Sequence, residues 1–489
     1  LGLKVSIKVE NYYLLLAIFL LLLQKGTFIF TASPLPDEAY YWLWAKNPDL
    51  SYFDHPPFSI WLQSVFSIII IDKILLIRIV PIICSIFFMF TIYVWTKALV
   101  PSFSFNVYLK NLAIALSLPI LGIFLTISFP DCLVILCLSM SGFFFSRFLH
   151  FSENNKGKIT AWYLSVLFFS LAILTKYNAV LFGLGIFIFL NFYSRQRSIL
   201  FSKHFVIAII LIVAIQTPVI GWNIENEFLS FRFHLQDRLD FSINFDQVLK
   251  QILIFFFGLV VSFCPFFLLG IISPSKKLSL NFLEDEQLKL ATTILVSTLI
   301  FCFTLSLFIT VQYYWALPAI VAFVPIFQKI LNTFGRFIGL LIFGISLNLI
   351  LTVNYVVTPV SGFWGPVDRE TALIFGWNQV INEISELKKK NNISNVLFSD
   401  YRVGSLYAFH SGNLDVDVFM KDRGTQFDLW RKEGRSKQAL ERSIIMVDNQ
   451  FPINRRIEEL FKNIRFVKNM EIKEGSLIIK SYDLYIAHN

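Results

Sequence analysis

The sequence predicts an α-helical polytopic membrane protein, with about eleven transmembrane helices and a small C-terminal α/β soluble domain. Three observations carry this expectation. Of the 489 residues, 56% are hydrophobic and only 15% are charged, where a soluble domain carries about 25% charged residues. The apolar residues form continuous runs of roughly 17–25, the length needed to cross a hydrocarbon core. Strands of a membrane β-barrel would alternate instead. From about Ser361 the composition changes, and Glu, Asp, Asn and Lys become frequent.

The expected helices follow in chain order. The first runs from Tyr12 to Phe30 and is read as a retained membrane helix, because no small-residue cleavage site closes it. The second, Arg78 to Ala98, is preceded by an apolar stretch from Phe58 to Ile71 of the kind that lies in the interface. The third spans Leu109 to Ile127 and the fourth Cys132 to Leu149. The fifth ends at Thr175 and the sixth begins at Asn178, with Lys176 and Tyr177 between them. The remaining spans are Phe205 to Gly221, Val248 to Ile272, Ala291 to Ile309, Trp315 to Phe327 and Phe337 to Val357. These place a membrane domain over residues 1–360, with outer loops at 31–57 and 222–246, and a soluble domain over 361–489. In that domain Glu370 to Lys390 has helical spacing and ends in a basic run. Asn395 to Phe398, Val416 to Phe419, Ser443 to Val447 and Ser476 to Ile479 are short apolar or β-branched runs that predict strands. Asp415-Val416-Asp417 fits strand alternation better than a metal-binding Asp-x-Asp.

The net charge of +9 reflects loops rather than a basic face. Lys and Arg are scattered, which excludes a nucleic-acid partner. Lys4 and Lys8; Lys97 and Lys110; Arg147, Lys156 and Lys158; Arg195, Arg197 and Lys203; Lys276 and Lys277; and Lys329 and Arg336 all fall in alternate loops. The positive-inside rule makes that side cytoplasmic. The opposite side then receives Asp37 to His55, Pro130-Asp131, Lys176-Tyr177, Trp222 to Asp246, Gln312 to Trp315 and the C-terminal domain. No phosphate-binding loop or dinucleotide glycine fingerprint is present, so no nucleotide is expected. The five cysteines lie in or beside apolar runs, so neither a disulfide framework nor a Cys-x-x-Cys metal site is expected.

The most informative stretch is Pro34 to Pro57. It sets Asp37-Glu38 and Asp54-His55 among Tyr40, Tyr41, Trp42, Trp44, Tyr52 and Phe53. As an interfacial loop, its aromatics would sit at headgroup level with the acids solvated. As a catalytic loop over the membrane surface, its acids would do proton chemistry. The residues alone leave both open.

Asp-Glu-Ala-Tyr-Tyr-Trp after the first helix, followed by Tyr-Phe-Asp-His-Pro-Pro, resembles the first outer loop of bacterial GT-C glycosyltransferases. These are relatives of the protein O-mannosyltransferases and of the aminoarabinose transferase that modifies lipid A. The likeness continues through Phe129-Pro130-Asp131-Cys132-Leu133, Leu174 to Val180, Pro218 to Asn223, Ser230 to Leu235, Asp237-Arg238 and Gln426 to Trp430. It implies a GT-C fold and an inverting transfer of sugar from a polyprenyl-phosphate-linked donor, on the outer face of a bacterial inner membrane. The implied acceptor is lipid A, lipopolysaccharide core or another envelope glycolipid. A protein Ser/Thr acceptor and a lipid-linked sugar transporter are the alternatives. A transporter would carry midplane ionisable residues and inverted repeats, and neither is evident in the sequence.

By that resemblance Asp37 is the expected base, Glu38 its helper and Asp131 a second acid. Lys176, His55, Arg232 and Arg238 are the expected contacts to the donor phosphate, Lys176 as a point charge. Tyr40, Asp54, Tyr177, Trp222, Asn223 and His234 are expected to line the substrate. Each has a plainer alternative: Lys176 would snorkel to water, Arg232 and Arg238 would belong to a solvated loop, and the aromatics would anchor the interface. One departure stands out. The lipid A aminoarabinose transferases carry an acid followed by Lys before Pro-Pro, where this chain has Asp54-His55. Imidazole titrates near neutrality and so weakens that phosphate contact. No cofactor is required. A divalent metal ion shared by Asp54, His55 and His234 is the one addition considered, although no helical His spacing supports it.

The topology generates a direct test. A reporter fused after Asn489 is expected to be active only outside the cytoplasm, and one fused after Lys277 only inside. Reversal of either would overturn the orientation.

Overall fold

The structure is a computed structural model describing residues 9–150, 155–234, 245–273, 285–331, 333–421, 423–434 and 441–489. It divides into two compact units: Leu1–Ile29, His55–Ser59 and Arg78–Leu349 form one, and Phe30–Asp54, Ile60–Ile77 and Ile350–Asn489 the other. The expected outer loop thus groups with the C-terminal residues, and the boundary near the last span falls at Leu349.

Each expected span contains helix, but among the described residues seven helices are long and apolar enough to cross a membrane: Tyr12–Thr31, Lys73–Leu99, Pro130–His150, Lys203–Glu225, Phe245–Phe263, Glu286–Ser306 and Phe334–Val357. The count reaches eight if the pair Tyr313–Val321 and Val324–Ile330, bent by 63°, is taken as one span. The others are shorter or more polar for identifiable reasons. Pro119 ends the Phe105–Ser117 helix, the Asn155–Ile173 helix opens on Asn-Lys-Gly-Lys, and Val180–Phe192 is only 13 residues long. Cys264, at φ 64°, and Pro265 break the expected Val248 to Ile272 span after Phe263.

In the first unit the bent pair shows how polar residues survive in an apolar bundle. A break frees backbone groups that hydrocarbon cannot satisfy. Asn111 supplies them: its Nδ2 donates to the Pro325 carbonyl at 2.9 Å, and its Oδ1 accepts the Gln328 amide at 2.9 Å. Gln287 donates to the Ala322 carbonyl at 2.8 Å and accepts from Ser146. Small residues let helices approach closely. A Cβ at Gly344 would stand 2.3 Å from the Ser117 carbonyl oxygen, and one at Gly142 would stand 2.4 Å from the Trp95 ring.

The second unit holds a five-stranded sheet: β1 (Asn395–Phe398), β2 (Asp417–Val418), β3 (Arg442–Val447), β4 (Asn463–Glu474) and β5 (Leu477–His488), in the order β2-β1-β3-β5-β4. β1 runs parallel to β2 and β3, and β5 runs antiparallel to β3 and β4. The Asp-Val-Asp triplet enters β2, and Asp417 lies 3.5 Å from Arg431. Sequence reasoning missed β4, since its charged residues alternate with half-buried apolar ones along the sheet edge. The expected Glu370 to Lys390 helix starts later, at Trp377, behind Gly376.

Gly376 sits at φ +74°, and a Cβ there would meet Cγ2 of Ile472 at 2.1 Å. Backbone strain and overpacking together make Gly376→Ala about 2–5 kcal/mol destabilising. Thermal melts of the full chain are expected to show a lowered transition, and an unchanged melt would contradict this packing.

Candidate functional site

The first acidic centre lies in the second unit. Pro36 opens the Pro36–Lys46 helix at its first turn, where a fixed φ is already helical. Asp37 and Glu38 follow in that turn, at the positive end of the helix dipole. Their roles then diverge. Glu38 is fully buried and its Oε2 accepts the Leu35 amide at 2.9 Å. Through that oxygen it caps its own helix. Asp37 faces the Tyr401–Ser411 helix, and the Tyr401 hydroxyl donates to its Oδ1 at 3.0 Å. Burial pushes the Asp37 carboxyl up from 3.8 to about 6. Asp54 and Glu370 add to that rise, while the Tyr401 bond and Arg402 oppose it.

Asp54, the second acid of this stretch, is buried and ion-paired with Arg423. Burial works against the Arg423 charge, but Asp54 beside it holds the guanidinium above its ordinary value. The loop carrying Arg423 is tied down at both sides. Gln426 accepts the Phe53 amide at 2.9 Å through Oε1, and its own amide donates to the Tyr40 hydroxyl at 2.7 Å. Gly424 lies against the Phe53 ring, where a Cβ would stand 3.0 Å away. Tyr40 is 1% exposed, with Trp44 and Tyr401 centroids 4.8 and 4.7 Å away. Its enclosure makes it a packing residue of this centre.

The second acidic centre lies in the membrane unit. Asp131 occupies the first turn of the Pro130–His150 helix and is fully buried. Lys176 stands in extended backbone between the Asn155–Ile173 helix and a 3₁₀ turn at Tyr177–Ala179. It does not snorkel. It is 6% exposed, and its Nζ donates to Asp131 Oδ2 at 2.6 Å and lies 4.5 Å from the Tyr314 ring centroid. Asp131 Oδ1 is buried without a hydrogen-bond partner. A buried ion pair is stabilising only where geometry is close and the remaining lone pairs are served, so this oxygen retains capacity for a donor such as a sugar hydroxyl.

Around the pair, Tyr177 lies 3.2 Å from Ser230 through its hydroxyl, and its ring sits 5.3 Å from that of His234. Phe58 donates to the Leu174 carbonyl at 3.1 Å, tying the half-buried His55 segment to the residues before Lys176. Trp222 and Asn223 are not loop residues. They are buried in the last turns of the Lys203–Glu225 helix, and Asn223 Oδ1 accepts the Phe231 amide at 3.3 Å. Arg232 is exposed, and Arg238 lies outside the described residues. Among the described residues no group of three or more His, Cys, Asp or Glu side chains is gathered for a metal ion. Of the expected trio Asp54, His55 and His234, Asp54 pairs with Arg423.

Tyr314, Ser230, Tyr401, Arg423 and Gln426 were missed as site residues. Gln426 at least fell inside a stretch already noted for its resemblance. Tyr401 and Arg423 carry no local signal, being 364 and 369 residues from their partners.

Comparison with known proteins places these centres in context. The family model described as dolichyl-phosphate-mannose-protein mannosyltransferase matches residues 54–222. No curated protein matches the chain. Among solved structures, the fold is similar to that of ArnT from Cupriavidus metallidurans in the apo state, at 10% identity and a TM-score of 0.65, covering 98% of both chains. The same protein bound to undecaprenyl phosphate gives 11% identity, the same TM-score of 0.65 and the same 98% coverage of both chains.

The Asp131–Lys176 pair predicts non-additive stability effects. Asp131→Asn or Lys176→Met alone strands a buried charge and is expected to destabilise by about 3–5 kcal/mol. The double variant should lose less than the sum of the two, because neither charge then remains. Thermal unfolding of the four proteins in detergent checks this, and strictly additive losses would mean that the pair does not interact.

Proposed function

We propose that the chain is a GT-C glycosyltransferase, an inverting transferase moving a sugar from a polyprenyl-phosphate-linked donor to an envelope glycolipid; its fold similarity to ArnT supports this reading. It is a multi-pass membrane protein. We place it in a bacterial inner membrane, with its chemistry on the periplasmic face and lipid A or lipopolysaccharide core as acceptor. The observation that carries the proposal is Asp37: a half-buried carboxyl, hydrogen-bonded by Tyr401 and raised to about 6. A general base works best when its pKa lies near the operating pH.

In this mechanism Asp37 takes the proton of the acceptor hydroxyl as that oxygen forms its bond to the anomeric carbon. The bond from that carbon to the donor phosphate breaks, and polyprenyl phosphate leaves with the electron pair. We propose separately that Lys176, in the membrane unit, serves as a cation for a donor phosphate. Asp131 orients Lys176 through one oxygen and offers the other to a hydroxyl. The match to the protein mannosyltransferase family model favours a second reading, in which the acceptor is a protein Ser or Thr. Mass spectrometry of envelope lipids from a deletion strain separates the two. A missing sugar mass on a glycolipid supports the first, and a missing mass on protein alone supports the second.

Asp37→Asn keeps size and shape but cannot accept a proton, and is expected to lower turnover at least about a hundredfold with donor binding retained. The wild-type kcat/KM should rise with pH through about 6, where Asp37 ionises, and fall away on the acid side. A flat profile, or a fully active Asp37→Asn enzyme, would refute the assignment. Lys176→Ala should raise the apparent donor KM, with Lys176→Arg recovering part of the loss. Unchanged donor kinetics in Lys176→Ala would remove it from the phosphate contact.

A further inference from the structure

The second unit contains a device that the proposed transfer chemistry does not itself require. Each acid of the Pro34 to Pro57 stretch that faces the tail is held by one tail side chain. Tyr401 donates to Asp37 at 3.0 Å, and Arg423 pairs with Asp54. The two holders come from different tail elements, the Tyr401–Ser411 helix and the loop before the Gln426–Lys432 helix. The aromatic frame between them is continuous: the Tyr40 centroid lies 4.7 Å from that of Tyr401 and 5.7 Å from that of Phe427, and the Arg423 guanidinium lies 5.2 Å from the Tyr401 ring. The Gln426 amide bonds to Tyr40 and the Phe53 amide bonds to Gln426 across the same frame.

From this geometry we propose that Tyr401 is the positioning residue of Asp37, so that the C-terminal unit sets both the orientation and the proton affinity of the base. The proposal rests on the transferase reading for its functional meaning, but the coupling itself does not. The charged groups acting on Asp37 are Asp54 and Glu370, which favour its neutral form, and Arg402, which favours its ionised form. Arg402 is itself bound by Asp400 and Glu370, which dampens its pull. Among the described residues Tyr401 is the group that donates a hydrogen bond to Asp37. A hydrogen bond donated to the carboxylate stabilises the charged form. Removing it should move the titration midpoint upward, on top of the rise that burial already causes. The ring alone cannot do this, since its tilted contact with the Tyr40 ring is open to phenylalanine as well.

The test is an isotope-edited infrared titration of the full chain in lipid nanodiscs. The carboxyl band of Asp37 is identified by its loss in Asp37→Asn. In Tyr401→Phe the midpoint is expected to rise from about 6 by roughly one pH unit. Where transfer is measured, the rate deficit of Tyr401→Phe should shrink as pH is raised, a trend that a purely structural defect would not show. Replacing Tyr401 by 3-fluorotyrosine, which preserves shape and strengthens the donor, should move the midpoint down and serves where the phenylalanine variant does not fold. A midpoint unmoved in either variant, or raised by the fluorinated one, overturns the proposal. Movement of the midpoint in a protein that transfers no sugar from any polyprenyl-phosphate donor keeps the coupling and discards the transferase reading instead.

Discussion

A charge taken out of water must find an opposite charge or a set of hydrogen bonds, and the described polar architecture of this protein follows from that constraint. Lys176 sits where the Asn155–Ile173 helix has ended and the next has not begun, and it meets Asp131 in the first turn of a neighbouring span. Arg423 meets Asp54, and Arg369 meets both Asp400 and Asp448. The broken Tyr313–Ile330 segment is tolerated because Asn111 and Gln287 serve its exposed backbone. Where such satisfaction stops short, as at Asp131 Oδ1, the structure has retained a polar atom that packing alone does not explain.

The same constraint separates two neighbouring acids of one helix turn. Glu38 is spent on the amide of Leu35, which an uncapped helix would leave unsatisfied. Asp37, one residue earlier, points at a phenol. A phenol is a weaker partner for a carboxylate than a guanidinium, so burial dominates and the carboxyl is pushed up toward neutrality. Asp54 has the guanidinium. Two carboxyls in one unit thus differ in partner, and a difference of environment is what lets paired acids take separate roles.

The grouping of Phe30–Asp54 and Ile60–Ile77 with the C-terminal residues gives the tail a purpose beyond its sheet. Buried Tyr40, Phe53 and Gln426 and half-buried Tyr401 form one frame that links the loop and the tail. Lys73 adds to it by donating to the Phe409 carbonyl at 2.8 Å. Residues in the Pro34 to Pro57 stretch are held rigidly from outside their own helix, which is what a positioned acid needs if it is to act within a hydrogen bond's reach of its proton.

Sequence alone determined the class, the order of apolar segments, the change of character near Ser361, the location of β1 and the acids worth suspecting, because these rest on composition and local period. Lys176 was singled out by its place between two apolar runs, and Asp131 by the motif around it. What only the tertiary structure decided was pairing: that Lys176 is buried on Asp131, that Glu38 caps a helix, that Trp222 and Asn223 lie within a helix, and that Asp54 is held by arginine. Tyr401 and Arg423 were invisible for the same reason. Their meaning lies in contacts spanning more than 360 residues of chain, and neither period nor propensity carries information over that distance.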